Sequence, residues 1–214
     1  LEKIDKSIFE ISLISNLNII DQDDLSTELK DLADYWYDIE NMSDEEATSF
    51  LRSLNIDVLI DLSGFTQGNR LEVVARRCAK IQILWLGYNN SLCLKNVDYF
   101  IADKNLIKSD EEHLYREEIL YMPKIWNSLS LPKKLPNIEN NLKLNKSAFT
   151  FCSFNNFHKL SDETINVWSE ILNQGNSELI LKDSLEGGED IKNKIIKKFM
   201  KKGVKKKQIL ILEN

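Results

Sequence analysis

Short apolar runs alternate with helix-like periodicity in the middle of the chain. Residues 57–62 and 81–86 are apolar runs of strand length, and each is followed by a segment that contains glycine. Between them lie a polar loop, 63–68, and a short segment with apolar residues at the helical positions Leu71 and Val74. A strand, a loop, a helix and a second strand within about thirty residues form a βαβ unit, whose strands are parallel and buried on both faces. The pattern therefore predicts an α/β protein that binds ligands at the carboxyl edge of its sheet.

The segments before this unit alternate in the same way. Ser43 and Glu46 form a capping-box pair, which predicts a helix that runs to about residue 54. Apolar residues at helical spacing, with acidic residues in the first turn, predict another helix over 21–33. The remaining predicted elements are the tail of a helix at 1–6, a strand at 7–13 and an extended segment at 35–39.

The alternation resumes after a break in the second half. Residues 125–146 contain Pro132 and Pro136 and show neither helical nor strand periodicity, which indicates a linker. We therefore expect a first Rossmann-like lobe at 1–124, a linker at 125–146 and the beginning of a second Rossmann-like lobe at 147–214. Because the chain opens without Met and stops just after a buried-strand pattern, we expect both lobes to be incomplete. In the second lobe we predict strand 148–154, loop 155–160, helix 161–173, strand 178–181, helix 189–202 and strand 208–212.

Composition narrows the class of protein. The chain has 214 residues, of which 43% are hydrophobic, and no apolar run approaches the length of a membrane span. A formal charge of −6 argues against general nucleic-acid binding. The three cysteines are far apart and, with only two histidines, form no zinc-ligand spacing. We therefore expect reduced thiols, a cytoplasmic location and no metal site.

The clearest candidate for chemistry is the segment 155–159. It follows a predicted strand and precedes a helix that Ser161 caps. Backbone amides at such a helix start, beside the ammonium group of Lys159, suit an anionic phosphate. The alternative interpretation is an ordinary surface lysine. Nothing near His158 in the sequence partners it as a base, so a binding role is favoured over proton abstraction.

Two long blocks resemble one enzyme family. The first reads I-D-V-L-I-D-L-S-G-F-T-Q-G-N-R at 56–70, A-R-R-C-A-K-I-Q-I-L-W-L-G-Y at 75–88 and V-D-Y-F-I-A-D at 97–103. The second reads F-T-F-C-S-F-N-N-F-H-K-L-S at 149–161. In this order they resemble the catalytic region of the O-GlcNAc transferase (SPINDLY-type) family, glycosyltransferase family 41. The resemblance implies a GT-B-type α/β fold, with most of a first Rossmann-like lobe and the beginning of a second.

By this resemblance, residues of both lobes bind a UDP-sugar. Lys159 matches the lysine that contacts the diphosphate, and Asn156 matches a glutamine that contacts the nucleotide in the animal enzymes. His158 stands where those enzymes have a tyrosine near the sugar phosphate. Leu86 and Gly87 belong to the segment whose backbone borders the donor sugar. The resemblance assigns no catalytic base here.

The chain departs from the family after this segment. The family usually continues with Pro-Gly-Thr and a further Gly, whereas this chain continues with Asn, Asn, Ser and Leu at 89–92. Asn only partly replaces the backbone freedom of Gly, so we expect less efficient turnover. Arg70 has two open interpretations: it supports the neighbouring glycine loop through hydrogen bonds, or it packs over the start of the helix.

The implied reaction is an inverting, metal-independent transfer of a sugar, N-acetylglucosamine in the first instance, from UDP to a protein Ser or Thr hydroxyl. It needs no cofactor, and the full-length protein is expected to carry tetratricopeptide repeats. These repeats and two histidine-containing motifs of the family are absent from this chain, so we expect the chain alone to be inactive. Two alternatives stay open: a related transferase with another donor or acceptor, such as Asn glucosylation, and a non-catalytic nucleotide-binding or interaction module.

Overall fold

The molecule is an α/β protein in which every described strand pairs in parallel with a neighbour. The computed structural model describes residues 1–128, 148–182 and 188–212, and the chain divides into unit 1, residues 1–132, and unit 2, residues 133–214. Unit 1 contains β1 (Ser12–Ser15), α1 (Asp24–Leu32), β2 (Tyr35–Asp38), α2 (Asp44–Ser53), β3 (Val58–Asp61), α3 (Leu71–Ala75), β4 (Ile81–Leu84), β5 (Tyr99–Ala102) and β6 (Glu118–Tyr121). Unit 2 contains β7 (Phe149–Ser153), α4 (Asp162–Gln174), β8 (Ser177–Lys182), α5 (Gly188–Met200) and β9 (Ile209–Leu212).

The central βαβ unit is confirmed. β3 and β4 are adjacent and parallel, with Val58 paired to Ile81 and Asp61 paired to Leu84. They belong to a four-stranded sheet of order β3-β4-β5-β6, while β1 and β2 form a separate parallel pair. Because parallel strands all end at one edge, the loops after β3 and β4 meet at the carboxyl edge of this sheet.

The four-stranded sheet is buried on one face only. Leu84 and Phe100 have no exposed surface and pack in one core cluster with residues from α3 and the loops. Leu59 packs on a second cluster built from α2 and α3. On the opposite face of β3, Val58 is 46% exposed and Ile60 is 42% exposed. The prediction that this strand is buried on both faces is therefore wrong, because the helices that follow β2 and β3 cover the Leu59 side.

The first eleven residues form turns and irregular chain instead of the predicted helix tail. The carboxylate of Asp5 accepts hydrogen bonds from the backbone amide of Ser7 at 2.9 Å and from its hydroxyl at 2.6 Å. An acceptor so close in sequence competes with helical hydrogen bonding. The first strand begins only at Ser12, where parallel pairing with Tyr35 starts, and not at residue 7.

The starts of α2 and α4 have the capping residues that the sequence predicts. In α2 the Ser43 hydroxyl accepts from the amide of Glu46 at 3.2 Å, and the Glu46 carboxylate accepts from the amide of Ser43 at 2.8 Å. In α4 the Ser161 hydroxyl accepts from the amide of Thr164 at 3.1 Å. Both predicted caps are confirmed.

Unit 2 has a three-stranded sheet of order β7-β8-β9 and its own core. Leu172 of α4, Leu181 of β8 and Phe199 of α5 are each at most 2% exposed and pack together. The loop after β7 therefore lies at the carboxyl edge of a sheet that α4 and α5 cover on one face. Across the described ranges, none of the helices has the length and apolar character needed to cross a bilayer.

Candidate functional site

Two edge loops of unit 1 contact each other so closely that glycine is required. A Cβ atom added at Gly87 would lie 1.9 Å from the carbonyl oxygen of Leu62, and one added at Gly64 would lie 2.2 Å from the Cβ of Tyr88. The rings of Phe65 and Tyr88 also meet edge to face, with centroids 5.2 Å apart. The glycine loop after β3 and the Leu86–Gly87–Tyr88 segment after β4 thus form one packed surface.

Leu86 adopts a left-handed backbone conformation with φ of 79°. This conformation is rare for a bulky residue, costs roughly 1–3 kcal/mol, and persists only where the surrounding structure enforces it. Here two hydrogen bonds hold the preceding residue, Trp85. Its backbone amide donates to the backbone carbonyl of Asp61 at 2.9 Å, and its indole donates to the Trp126 carbonyl at 2.6 Å. Strain of this kind concentrates at functional sites. The structure therefore places a strained residue at one of the positions that the sequence singles out.

Asp61 shapes the glycine loop from the end of β3. Its carboxylate accepts the amide of Gly64 at 2.8 Å and the amide of Ser63 at 3.3 Å. These bonds satisfy two backbone donors in a turn that Gly64 enters with φ of 55°. Asp61 thus organises the loop through its backbone.

A buried carboxylate holds the segment that departs from the family. Glu117 is 3% exposed, and it accepts the hydroxyl of Ser91 at 2.5 Å and the amide of Leu92 at 2.9 Å. Cys93 follows with φ of 54°, again left-handed. Sequence reasoning missed Glu117, because a glutamate beside Arg116 at the start of a strand looks like an ordinary surface charge.

Asp103 joins the end of β5 to the chain that follows β6. One oxygen accepts the amides of Asn105 and Leu106 at 2.8 and 2.9 Å, and the other accepts the amide of Trp126 at 2.8 Å. Burial by itself raises the pKa of Asp103, but these amides outweigh it and hold the pKa below its ordinary value. Trp126, near the start of the predicted linker, is therefore bonded to the loops after β4 and β5 through both its amide and its carbonyl group.

In unit 2 the three predicted donor-binding residues lie in one short turn. The Asn156 side chain caps this turn by accepting the amide of His158 at 2.9 Å. The Lys159 ammonium group lies 3.4 Å from the side-chain oxygen of Asn155. Asn156, His158 and Lys159 are all exposed, and Ser161 starts α4 two residues later. The turn presents an accessible cation next to a capped helix start, which suits an anionic group.

A groove in unit 2 is a separate feature from this turn. Its volume is about 180 Å³, and it opens beside β7, the first strand in the sheet order. Its lining includes none of the predicted donor-binding residues. The lining residues are Phe151, Cys152, Ser153, Trp168, Ile171, Leu172 and Leu179.

Acidic, histidine and cysteine side chains do not gather into a metal-binding group anywhere in residues 1–128, 148–182 and 188–212. The three cysteines are free thiols, with Cys78 buried and the other two exposed. Burial raises the pKa of the Cys78 thiol. Cys78 is therefore a core residue rather than a reactive group.

The molecule belongs to the class of parallel α/β proteins, in which the loops after the strands meet at the carboxyl edge of the sheet. Within this class, residues 3–129 match glycosyl transferase family 41. The match covers more than half of the chain, and the chain belongs to this family.

The chain is similar to several plant proteins described as probable UDP-N-acetylglucosamine–peptide N-acetylglucosaminyltransferase SPINDLY. The protein from Eustoma exaltatum subsp. russellianum is 32% identical over 148 residues, which are 69% of this chain and 16% of the relative. The one from Oryza sativa subsp. japonica is 34% identical over 149 residues, with coverages of 69% and 16%. The one from Arabidopsis thaliana is 29% identical over 178 residues, with coverages of 83% and 20%. The chain thus spans no more than a fifth of these relatives.

The fold is similar to that of a solved O-GlcNAc transferase. The structure of a mutant O-GlcNAc transferase from Thermobaculum terrenum has a TM-score of 0.88 and 25% identity to this chain. The similarity covers 99% of this chain and 40% of that chain. The similarity confirms the α/β fold expected from the sequence over both units.

Proposed function

We propose that this chain is part of an enzyme that transfers N-acetylglucosamine from UDP-N-acetylglucosamine to Ser or Thr hydroxyls of proteins. The observation that carries the proposal is the family match over residues 3–129, because it contains both packed edge loops of unit 1. The activity by which the plant relatives are described and the fold similarity of nearly the whole chain support it. A UDP-sugar and a protein are therefore the proposed partners.

The proposed chemistry is a single displacement that inverts the anomeric carbon. The acceptor hydroxyl oxygen forms the new bond to that carbon and gives up its proton to water, the bond to the diphosphate oxygen breaks, and UDP leaves with the electron pair. The Lys159 ammonium group and the amides at the start of α4 stabilise the charge that grows on UDP. This arrangement supplies positive charge from the protein itself, which supports a metal-independent reaction.

We assign the binding roles by unit. Asn156, His158 and Lys159 contact UDP, and the backbone of Leu86 and Gly87 borders the sugar. The capping bond at Asn156 supports this assignment, because it engages the amide oxygen and leaves the side-chain NH₂ group to donate to a nucleotide. The strained conformation of Leu86 supports the second part.

The wider organisation is also a proposal. Residues 1–124 act as the first Rossmann-like lobe, 125–146 as the linker and 147–214 as the start of the nucleotide-binding lobe. A cytoplasmic location and tetratricopeptide repeats in the full-length protein complete the proposal.

A non-catalytic nucleotide-binding module is the second candidate, favoured by the departure from the family at residues 89–92. Hydrolysis and transfer assays with UDP-N-acetylglucosamine on the full-length protein separate the two. Transfer to protein supports the enzyme, whereas UDP binding without transfer or hydrolysis supports the module. Donor profiling with UDP-glucose in the same assay tests for another donor sugar.

Lys159 provides the direct test of the UDP site. Lys159→Glu removes a charge-assisted hydrogen bond, worth roughly 1.5–3 kcal/mol, and adds repulsion. We expect UDP affinity of the full-length protein to fall at least about tenfold in calorimetric titration. The matched control is Lys201→Glu, which reverses the charge of an exposed lysine directly after α5 and which we expect to change UDP affinity little. Equal affinities of the Lys159 variant and the wild type for UDP would reject the assignment.

A further inference from the structure

Arg70 forms a hydrogen-bond network that involves the loops after three successive strands. Its guanidinium group donates to the Asp44 carboxylate at 2.8 Å and to the Asn16 side-chain oxygen at 2.9 Å. It also donates to the carbonyl groups of Ile39 and Met42, both at 2.9 Å. The side chain is 17% exposed, so this charge is largely removed from water.

The acceptors follow strands that end at the carboxyl edge. Asn16 comes directly after β1, and Ile39 comes directly after β2. Arg70 itself ends the glycine loop that follows β3 and precedes α3. Asn16 strengthens the link, because its side-chain amide donates to the carbonyl group of Gly68 at 2.8 Å.

The chemistry requires an arginine at this position. A planar guanidinium group presents five donors in a fixed fork, so one side chain serves four acceptors in different directions. A lysine ammonium group carries the same charge but lacks this fixed geometry. Of the two interpretations of Arg70, hydrogen-bond support of the glycine loop and packing over the helix start, the network supports the first.

The fixed loop is the one that packs against the segment after β4. Gly64 and Phe65 contact Tyr88, directly beside Leu86 and Gly87. Movement of the glycine loop therefore displaces the surface that contains these two residues. Asp61 fixes the loop at its start, and Arg70 fixes it at its end.

We propose that Arg70 is a positioning residue for the sugar half of the UDP-sugar site. It holds the loop at 63–69 against the loops after β1 and β2, and this contact keeps the Leu86–Gly87 backbone at its place. The inference rests on the proposed function. It assigns to Arg70 an effect on the sugar and none on the UDP contacts, which lie in unit 2.

The test compares Arg70 with Arg76 in the full-length protein. Arg70→Lys keeps the charge and removes the fork, whereas Arg76→Lys alters an exposed pair with Glu45 at 3.4 Å. For Arg70→Lys we expect transfer kcat/KM to fall roughly ten- to hundredfold with unchanged UDP affinity, because small displacements of a bound substrate cost rates of this order. For Arg76→Lys we expect both quantities to stay near the wild type.

Chemical rescue separates positioning from general stability. In Arg70→Ala, added guanidinium ion at low millimolar concentration fills the missing group, so we expect partial recovery of transfer, with no such gain in Arg76→Ala. Lack of rescue in a folded variant, or an equal loss in the Arg76 variants, overturns the inference. Should Arg70→Ala not fold, Asn16→Ala takes its place, since it removes one acceptor of Arg70 and the donor to Gly68. We then expect lower transfer with unchanged UDP affinity, and an unchanged rate overturns the inference.

An activity-independent measurement distinguishes failure of this inference from failure of the proposed function. If the wild type shows no transfer, the proposed function fails and hydrogen exchange decides the role of Arg70. The amides of Ser63 and Gly64, which bond to Asp61, are expected to exchange faster in Arg70→Lys than in Arg76→Lys. Equal exchange rates in the two variants overturn the inference.

Discussion

At the scale of single residues, glycines serve different physical purposes in this chain. Gly87 has no room for a side chain, because a Cβ would lie 1.9 Å from the Leu62 carbonyl oxygen. Gly68 has open space around it but a φ of 76°, which other residues adopt at a cost. Gly175 has open space and an extended backbone, with φ of −156°. Glycine is therefore required at Gly87 for lack of space and is favoured at Gly68 for its backbone angle, whereas Gly175 has neither constraint.

Alanine substitutions at these glycines are expected to destabilise the protein in a fixed order. We expect Gly87→Ala to cost about 3 kcal/mol through overpacking, Gly68→Ala roughly 1 kcal/mol through its left-handed backbone, and Gly175→Ala less than about 0.5 kcal/mol. Urea denaturation of each variant, followed by residue-resolved hydrogen exchange, measures the loss in the unit concerned. A larger loss at Gly175 than at Gly87 contradicts the close contact of the two edge loops.

Sequence reasoning identified the residues of the edge loops but not what holds them. The partners of Arg70 lie 26 to 54 positions away, and no local pattern links them. Glu117 is 25 positions from the amide that it accepts. Leu86 lies at the end of an apolar run and gives no sign of its left-handed backbone. These features arise from tertiary packing, so short-range periodicity carries no information about them.

At the scale of helices and strands, short-range sequence patterns predicted the helix caps and the pairing of neighbouring strands. The caps at Ser43 and Ser161 and the pairing of β3 with β4 were predictable, because each depends on neighbouring residues or on the short connection between two strands. The burial of β3 could not be predicted in this way, because it depends on which distant elements cover each face of the sheet. Residues 1–8 form turns instead of the predicted helix tail, because the Asp5 carboxylate accepts hydrogen bonds that compete with those of a helix.

Acid is expected to weaken the junction between β5 and the segment after β6. The folded state lowers the pKa of Asp103, so the unfolded state binds its proton more readily. The stabilisation is therefore fully present above the unfolded pKa of about 3.9 and is lost as pH falls through the lower folded pKa. We expect Asp103→Asn to be less stable than the wild type at pH 7, and we expect this difference to shrink on acidification.

Urea denaturation at pH 7 and in acid, followed by hydrogen exchange at the amides of Asn105 and Trp126, measures this effect. The control is Asp57→Asn, whose ion pair with Lys80 joins side chains that are 78% and 74% exposed and so contributes little. An unchanged stability difference between pH 7 and acid would show that the three amides do not depend on the Asp103 charge.

At the scale of the whole molecule, charge is divided unequally along the chain. Residues 1–132 contain 13 Lys and Arg against 24 Asp and Glu, a net of −11, whereas residues 133–214 contain 15 against 10, a net of +5. Lys159 therefore belongs to the basic part. The lysine-rich face of α5 adds to this charge, although Lys198 is paired with Asp162 at 2.7 Å.

This division predicts the salt dependence of UDP binding. Exposed charges interact mainly within the Debye length, about 10 Å at 0.1 M salt, so we expect the net positive charge of the segment that contains Lys159 to govern the attraction of the diphosphate. We expect the UDP dissociation constant of the full-length protein to rise severalfold between about 0.03 and 0.3 M sodium chloride, because screening weakens this attraction. Uridine, which carries no phosphate, is the control and should bind equally at both concentrations. Tighter UDP binding at high salt would mean that repulsion from the acidic part dominates and that the basic part does not attract the diphosphate.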